Sequence, residues 1–330
     1  LPVVPGGRGS LSFTGDGDGI TVATGGGTVT AFDIVTGERR WAVGPADGAA
    51  LERFAVSPDE TVVATSSDQI PVDLWDVATG EHLLALRPEA GNYVTDLDWS
   101  PDGELLAIAL ADDVGGSIVV VDRSGAVRAE LREDEDVYIQ SVSFNPAGDR
   151  LASTRDPYRD DPSMRGVQIW DWEQGEVVRT LGMATIDAVF APTSDRVVAI
   201  GELEGIATVW DAATGEEVAA LPQSDASIYD VAFSGDGRRL ATTGADGTIR
   251  LWDATTGEEE LVLRGHEVPN RTVIFSPDGS RLAAIDYTGV VRVWALELDD
   301  LVAIATARLT RTLTDDECAQ YLHVEPCPED

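Results

Sequence analysis

Short apolar segments that alternate with polar residues recur along most of the chain. Residues 248–252 show the period-two alternation of a β-strand and lack the spacing of a helix. An apolar residue just before a turn repeats at steps of 42 to 46 residues, at Phe13, Val56, Trp99, Phe144, Phe190, Phe233 and Phe275. The pattern therefore predicts seven repeats built from strands.

Turn residues follow most of these apolar positions. Ser-Pro-Asp-Gly at residues 100–103 and 276–279 combines a Pro that fixes φ with a Gly that accepts a positive φ. Further along each repeat comes a second apolar residue, followed by Asp in six of the seven repeats, at Phe32, Trp75, Val121, Trp170, Trp210, Trp252 and Trp294. A turn that ends in Gly and another apolar run complete the first six repeats, which predicts four strands in each.

The paired turns, the Trp-Asp dipeptides and Gly265-His266 resemble the WD-repeat family, whose repeats of about 40 to 45 residues each form one propeller blade. The resemblance covers residues 1–296 and implies an all-β fold, a seven-bladed β-propeller of four-stranded antiparallel blades. A lone blade exposes two apolar faces, so the ring should fold as one domain. The seventh repeat lacks a fourth strand after Trp294, and the resemblance implies that residues 1–4 supply it.

The pattern becomes helical after Leu296. Apolar residues with helical spacing are Leu298, Leu301, Val302, Ala305 and Leu309. Thr314 and Glu317 form a capping box for a second short helix, so residues 297–330 are predicted to be a C-terminal helical tail. This tail resembles the ends of large actinobacterial regulatory proteins, which implies fusion to an upstream signalling module. The residues themselves fit equally well a helical cap on the seventh blade.

Charge narrows the possible partners. The chain has 59 acidic residues and 23 basic ones, all of them Arg, which gives a net charge of -36. Such a field repels phosphate and anionic lipid, so neither a nucleic acid nor a membrane is expected as a partner, and a basic protein or peptide would be attracted. Salt adaptation of a GC-rich source explains the acidity as well. No apolar run is long enough to span a bilayer, and a cytoplasmic location is expected.

The candidate chemistry is sparse. WD-repeat blades can join a His, a Ser or Thr, an Asp and the Trp by hydrogen bonds, yet no repeat here has all four. Repeat six has Asp246 and Trp252, and repeat seven has His266 and Trp294 with Thr288 at the Asp position. A structural role is expected for Asp246, Trp252, His266 and Trp294. No catalytic triad, metal-ligand set or phosphate loop is apparent, so no catalytic residue, metal or cofactor is predicted.

Two insertions exceed what the repeat requires, at residues 112–116 and 155–162. Loops that a scaffold does not need often carry binding function, although a solvated loop is an equal alternative here. In the topology of the family both insertions lie on the face that also carries the connections between blades. The expected partner-binding residues are Arg132, Tyr138, Arg155, Tyr158, Arg159 and Asp160.

These observations favour a non-catalytic scaffold or sensor domain of a bacterial signalling protein, which binds a protein or peptide. The alternative is a hydrolase or lyase on a propeller scaffold, with its site at the mouth of the central channel. Fold does not decide between them. A cluster of strongly perturbed titratable groups in the channel would favour the enzyme.

Cys318 and Cys327 are close enough in sequence for a disulfide if the tail folds back, whereas a cytoplasmic source argues for free thiols. We expect thiol titration of the unfolded, unreduced protein to give fewer than two free thiols, because both cysteines lie in a segment with little apolar core. A bridge across so short a loop would stabilise the tail by about 2.5 to 3 kcal/mol, so reduction should leave the propeller folded. Two free thiols, or collapse of the whole fold on reduction, would contradict this prediction.

Overall fold

The computed structural model describes residues 11–23, 26–45, 51–67, 72–87, 93–111, 115–132, 137–155, 166–182, 187–201, 205–222 and 227–297. The chain divides into two compact units, Leu1–Trp294 and Ala295–Asp330. The predicted helical tail, with Cys318 and Cys327, lies outside the described residues apart from its first position. No helix among the described residues has the length and apolarity to cross a membrane.

The described part of the first unit is a seven-bladed β-propeller, as the sequence predicted. The seven innermost strands, one in each blade, are β1 (Leu11–Phe13), β5 (Leu51–Val56), β9 (Tyr93–Trp99), β13 (Ile139–Phe144), β17 (Asp187–Phe190), β21 (Ile228–Phe233) and β25 (Asn270–Phe275). The second strands are β2 (Gly19–Ala23), β6 (Val62–Ser67), β10 (Leu105–Ala111), β14 (Arg150–Arg155), β18 (Arg196–Ile200), β22 (Arg239–Gly244) and β26 (Arg281–Asp286).

Two further strands lie outside these in each blade. The third strands are β3 (Val29–Asp33), β7 (Val72–Asp76), β11 (Gly116–Asp122), β15 (Val167–Asp171), β19 (Ile206–Asp211), β23 (Ile249–Asp253) and β27 (Val291–Ala295). The outermost strands are β4 (Arg39–Val43), β8 (His82–Leu86), β12 (Val127–Arg132), β16 (Glu176–Leu181), β20 (Glu217–Pro222) and β24 (Glu259–Leu263). Each sheet is antiparallel and keeps the sequence order of its strands, so every blade is a meander.

The turn between the first two strands is fixed by its own side chains. In blade three, Ser100 Oγ donates to Asp102 Oδ1 at 2.6 Å and accepts from Leu105 N at 2.9 Å. Gly103, with φ of 72°, donates its N–H to Ser100 O at 2.8 Å. The same Ser-to-Asp bond recurs at Ser234 and Ser276, which explains why the Ser-x-Asp-Gly sequence repeats.

The Asp of the Trp-Asp dipeptide closes the turn between the third and fourth strands. Asp76 Oδ1 accepts hydrogen bonds from the N–H and the hydroxyl of Thr79, both at 2.7 Å. Asp33 does the same for Thr36 at 2.8 and 3.1 Å. The side chain replaces backbone partners that a tight turn leaves unpaired, as Asp side chains commonly do in turns. The dipeptide is therefore a turn signal with a physical cause.

Apolar residues fill the spaces between blades. Separate clusters of buried side chains join blades one to two, two to three, three to four, four to five, five to six, and seven to one. The cluster between blades seven and one contains Leu11, Ile20 and Ile285, so the ring closes through apolar packing as well as through strands. Arg281 reinforces the same junction by an ion pair with Asp18 at 2.8 Å.

The two sides of the ring differ, and we name them here. The loop face is the side on which the innermost strands begin, and the turn face is the side on which they end. Residues 1–4, which were predicted to complete blade seven, lie outside the described residues. Within the described part of the chain, blade seven has three strands, and β27 has β26 as its neighbour in the sheet.

We predict that residues 1–4 supply the fourth strand of blade seven. Deleting residues 1–5 should then lower the melting temperature by several degrees, because the edge of β27 would lose its partner and a loss of 1 kcal/mol costs roughly 2 °C in a domain of this size. Replacing Leu1, Val3 and Val4 with serine should have a similar effect at unchanged length. An unchanged melting temperature in both variants would contradict this closure.

Candidate functional site

A column of polar residues lines the inner edge of the ring. It occupies the position three residues before the repeated apolar residue of each innermost strand, and its described members are Arg53, Asp96, Ser141, Asp187, Asp230 and Thr272. An innermost strand has no sheet neighbour on its channel side, so its N–H groups on that side need other acceptors. The column supplies several of them.

Carboxylates of blade three cap the backbone of blade four. Asp96 Oδ2 accepts a hydrogen bond from Val142 N at 3.0 Å, and Asp98 Oδ2 accepts one from Phe144 N at 2.7 Å. Both acceptors leave the same face of β9, since they are two residues apart in a strand. The two carboxylates thus hold adjacent blades together beside the channel.

Serines do the same at the next junction. Ser141 Oγ accepts from Ala188 N and Ser143 Oγ accepts from Phe190 N, both at 3.2 Å. Uncharged hydroxyls therefore suffice for this structural task. The carboxylates of blade three bring negative charge that the bonds themselves do not require.

Two more carboxylates enter the channel from blades five and six. Asp230 Oδ2 accepts from Val273 N at 2.7 Å, again across a blade junction. Asp187 occupies the same column position in β17. Arg53 stands in the corresponding position of blade two, where its Nε donates to Thr95 O at 2.7 Å.

Burial and mutual repulsion disturb the ionisation of these acids. Desolvation raises the pKa of Asp96 to about 7, and repulsion from Asp187 adds to it, while Arg53 opposes the shift. Desolvation likewise raises the pKa of Asp98 to about 7, with a contribution from Asp96. The pKa values of Asp187 and Asp230 are also raised, chiefly by burial. We call Asp96, Asp98, Asp187 and Asp230 the channel acids.

The channel acids are the main feature of the site that the sequence interpretation missed. Asp96, Asp187 and Asp230 share one fixed position, three residues before the repeated apolar residue, and Asp98 lies two residues after Asp96. Spacings of 91 residues (from 96 to 187) and 43 residues (from 187 to 230) match no catalytic motif, and the ring brings these positions together. Among the described residues no group of His, Cys, Asp and Glu side chains has an arrangement that could hold a metal ion.

Exposed aromatic side chains lie on the loop face near the channel acids. Tyr93, at the start of β9 and three residues before Asp96, is 62% exposed. Tyr229 precedes Asp230 and packs edge-to-face with Tyr287, with ring centroids 5.8 Å apart. Tyr287 itself is 60% exposed. Exposed tyrosines of this kind are common in recognition surfaces.

The predicted partner-binding residues differ in how much of their surface is exposed. Arg132 is exposed and pairs with Glu130, and Tyr138 is half-buried. Arg155, at the end of β14, is only 8% exposed, so most of its surface is unavailable to a partner. Tyr158, Arg159 and Asp160 lie outside the described residues.

The predicted structural residues of blade six have defined partners. Trp252 donates its indole N–H to Thr242 Oγ1 at 2.9 Å, in the interior of the blade. Asp246 Oδ1 accepts from the N–H and the hydroxyl of Thr248 at 2.9 and 2.7 Å, and Asp246 Oδ2 lies 3.4 Å from Arg250. Asp246 thus shapes the turn into β23.

The carboxylate that faces His266 comes from an unexpected position. Thr288 aligns with Asp246, but Asp286 Oδ2 is the oxygen that lies 3.7 Å from His266 Nδ1. Asp286 ends β26 and accepts hydrogen bonds from Thr288 N, Thr288 Oγ1 and Val290 N. The turn therefore holds a carboxylate two residues earlier than the alignment of repeats indicates.

The side chain of His266 is enclosed near the start of blade seven. Its side chain is fully buried, its ring centroid lies 5.7 Å from that of Trp294, and neither ring nitrogen has a hydrogen-bond partner among the described residues. Desolvation lowers its pKa, and Arg292 adds to the effect, against the attraction of Asp286. The uncharged imidazole is thus the form that the folded protein favours.

Comparison with known proteins relates three segments of the chain to a known repeat family. The family model described as WD domain, G-beta repeat matches residues 81–120, 215–253 and 257–295. The rat protein named Telomerase protein component 1 is 25% identical over 243 residues, which covers 72% of this chain and 9% of the rat protein.

Two shorter matches carry WD repeats in their names. A WD repeat-containing protein of Synechocystis is 28% identical over 152 residues, 44% of this chain and 40% of its own length. The human WD repeat and SOCS box-containing protein 1 is 29% identical over 101 residues, 31% of this chain and 24% of its own length. The chain therefore spans less than half the length of each of these relatives.

The raised pKa of Asp98 predicts an unusual pH dependence of stability. The native state keeps this proton up to about pH 7, whereas the unfolded chain releases it near the ordinary value of 3.8. Stability contributed by this group therefore falls as pH rises from about 4 to 7. Asp98→Asn keeps an acceptor for Phe144 N but cannot ionise. The melting temperature of the variant minus that of wild type should therefore be a few degrees larger at pH 8 than at pH 5.

Asp122→Asn is the matched control. A hydrogen bond from Ser124, with further bonds from the turn and from Arg128, lowers the pKa of Asp122 to about 2, so the group is ionised throughout this range. Its substitution should change the melting temperature equally at pH 5 and pH 8. If Asp98→Asn also changed the melting temperature by the same amount at pH 5 and pH 8, the assignment of a raised pKa to Asp98 would be contradicted.

Proposed function

The chain is a WD40-repeat β-propeller, and from this premise we propose that it is a non-catalytic module that binds a protein or peptide on its loop face. In this proposal it acts as the scaffold or sensor part of a cytoplasmic bacterial signalling protein. WD40 propellers are in general protein-interaction scaffolds. The observation that carries the proposal is the exposure of Tyr93 and Tyr287 on the loop face near the channel acids.

Packing within the propeller does not account for these tyrosines. Tyr93 and Tyr287 leave about three-fifths of their surfaces in solvent, at 62% and 60% exposure, although both belong to blades with many buried apolar residues. Tyrosine offers a large, stiff contact area with a polar end, and such residues often dominate binding energy. Arg132 ends the outermost strand of the blade that contains Tyr93, and the half-buried Tyr138 precedes the first strand of the next blade on the same face.

A basic partner fits this surface best. The net charge of -36 gives the protein a negative potential that attracts cations and repels nucleic acid and anionic lipid. Aromatic rings beside carboxylates also suit Arg and Lys side chains, because the face of a ring attracts a cation. Arg53 is the one opposing charge in the described channel column.

The relatives support a modular context. The name of the human relative joins WD repeats to a SOCS box, and that of the rat relative describes a component of telomerase. This chain matches only part of each relative, as expected if a propeller serves as one module of a longer protein. Fusion to an upstream signalling module is part of the proposal.

The channel acids also favour a second candidate, an enzyme with a site at the channel mouth. A carboxyl with a pKa near 7 can act as a general acid or base, and Asp96 and Asp98 both have such values. Against this candidate, three of the four channel acids accept backbone hydrogen bonds from the next blade. These hydrogen bonds give the three carboxylates a structural role that requires no catalytic one.

A panel of chromogenic esters, glycosides and phosphate esters separates the two candidates. A hydrolase should turn over at least one substrate and lose that activity in both Asp96→Asn and Asp187→Asn. A binding module should show no turnover that depends on these carboxylates.

We predict that Tyr93→Ala weakens the binding of fluorescein-labelled deca-arginine by roughly threefold to tenfold, the range of one cation–π contact. Val127→Ala is the matched control, because Val127 is 61% exposed on the outermost strand of the same blade. Neither substitution changes the net charge, so long-range attraction is equal in both. Labelled deca-glutamate should bind neither variant.

Equal affinities of Tyr93→Ala, Val127→Ala and wild type for deca-arginine would remove the loop face from the proposal. Far-UV circular dichroism of each variant should match that of wild type. Fluorescence anisotropy at low and physiological salt measures the affinities, and charge attraction should weaken at higher salt in all three proteins alike.

A further inference from the structure

A cavity of about 300 Å³ opens between blades four and five on the turn face. Its walls come from the turns and outer strands of the two blades, and its apolar lining, which we call the floor, consists of the buried Ile169 and Phe190 and of Val178, which is 49% exposed. This volume is at the small end of known ligand pockets. The cavity lies on the side of the ring opposite the proposed protein-binding face.

A small residue lines the cavity at one repeat position. Directly after the Trp-Asp dipeptide, blade two has Val77 and blade four has Trp172, while blades five and six have Ala212 and Ala254. Trp172 packs against Phe144 at the junction of blades three and four, with ring centroids 6.5 Å apart. Ala212 lines the cavity between blades four and five and contributes only a methyl group there.

The acidic wall of the cavity also departs from the repeat. In four other turns a Ser holds an Asp two residues later, as Ser100 holds Asp102. In blade four the first position is Asn145 and the acid follows four residues later, at Asp149. Blade five likewise places its acid four residues after Ala191, at Asp195.

Asn145 fixes both acids at the wall. Its Nδ2 donates to Asp149 Oδ1 at 2.9 Å and to Asp195 Oδ1 at 3.1 Å, across the junction of the blades. Asn145 is only 2% exposed, and its Oδ1 accepts from the N–H groups of Asp149 and Arg150 at 3.0 and 2.9 Å. A buried, fully bonded amide thus positions two carboxylates at one side of the cavity.

Two guanidinium groups form the basic wall. Arg179 crosses from β16 to the turn of blade five, where its Nη2 donates to Ala213 O at 2.6 Å. A Cβ atom added to Gly215 would lie 3.0 Å from Arg179 Nη1, which shows how closely the guanidinium packs on that turn. Arg150 pairs with Asp171 at 3.1 Å and lines the same cavity.

We propose that this cavity binds a small zwitterion: a molecule with one ammonium group, one carboxylate and a compact apolar body, such as an apolar α-amino acid. Asp149 and Asp195 would bind the ammonium group, Arg150 and Arg179 the carboxylate, and the apolar floor the side chain. Guanidinium groups suit carboxylates because their planar donors match the two oxygens.

The charges of the walls select this class of ligand over singly charged molecules. A simple anion would meet two carboxylates and the repulsion of a net charge of -36. A simple cation would bind the acidic wall but would offer no carboxylate to Arg150, whose present partners are Asp171 and Asp149, or to Arg179, which donates to Ala213 O. A zwitterion can bind both walls, so the loss of either of its charges removes a charge-assisted hydrogen bond.

Isothermal titration calorimetry with three probes tests the proposal. L-leucine carries both charges, 4-methylpentanoate lacks the ammonium group and 3-methylbutylamine lacks the carboxylate. We expect L-leucine to bind and each singly charged analogue to bind at least about tenfold more weakly, a difference typical of one lost charged contact. No heat from L-leucine at about 10 mM, or equal affinities for all three probes, would overturn the proposal.

Variants of the cavity locate the site. Ala212→Val introduces the side chain that blade two has at this position and should abolish L-leucine binding by filling the space. Arg179→Gln removes one guanidinium without altering the core and should weaken L-leucine more than 3-methylbutylamine. Arg128→Gln is the matched control, an exposed arginine of the outermost strand of blade three that pairs with Asp122.

Arg128→Gln should bind L-leucine as wild type does. If Ala212→Val fails to fold, Arg179→Gln decides the question, because unchanged binding in that variant would overturn the site. Tyr93→Ala should keep full L-leucine affinity, so a failure of the loop-face proposal and a failure of this one are distinguishable.

Discussion

The ring depends on how the inner edge of each blade is satisfied. An innermost strand faces the channel without a strand beside it, and its free N–H groups would be a serious cost if they remained unpaired. The preceding blade supplies the acceptors, as Asp98 does for Phe144 N and Ser143 does for Phe190 N. These bonds set the rotation of one blade against the next, and the apolar clusters between blades then fill the space that this rotation leaves.

The choice of acceptor has consequences beyond stability. Ser141 and Ser143 show that a hydroxyl is adequate, so carboxylates at Asp96, Asp98 and Asp230 add charge to a task that needs none. Their burial raises their pKa values, so near neutral pH they carry less negative charge than exposed carboxylates would. A structural device of the ring thereby places titratable groups beside the surface that we propose as the binding face.

Residues that depart from the repeat indicate positions with a role beyond the stability of the blade. Asn145 and Asp195 both depart from the Ser-to-Asp turn that four other blades keep, and they meet Ala212 at one junction. The His266 region shows a departure of another kind, since Asp286 takes the role that the alignment assigns to Thr288. Repeats constrain the backbone of a blade, but they leave individual side chains free to diverge at the junctions and on the two faces.

The sequence by itself determined the strands, the turns and the number of blades. Period-two alternation, Ser-x-Asp-Gly turns and Trp-Asp dipeptides are local signals, each with a local physical cause that the structure confirms at Asp102 and Asp76. Only the tertiary structure decided which side chains meet. Asp96, Asp187 and Asp230 converge because a closed ring brings equivalent positions of distant repeats to one axis, and Asn145 reaches Asp195 because neighbouring blades interlock. Such contacts depend on the angle between blades, which no short stretch of sequence encodes.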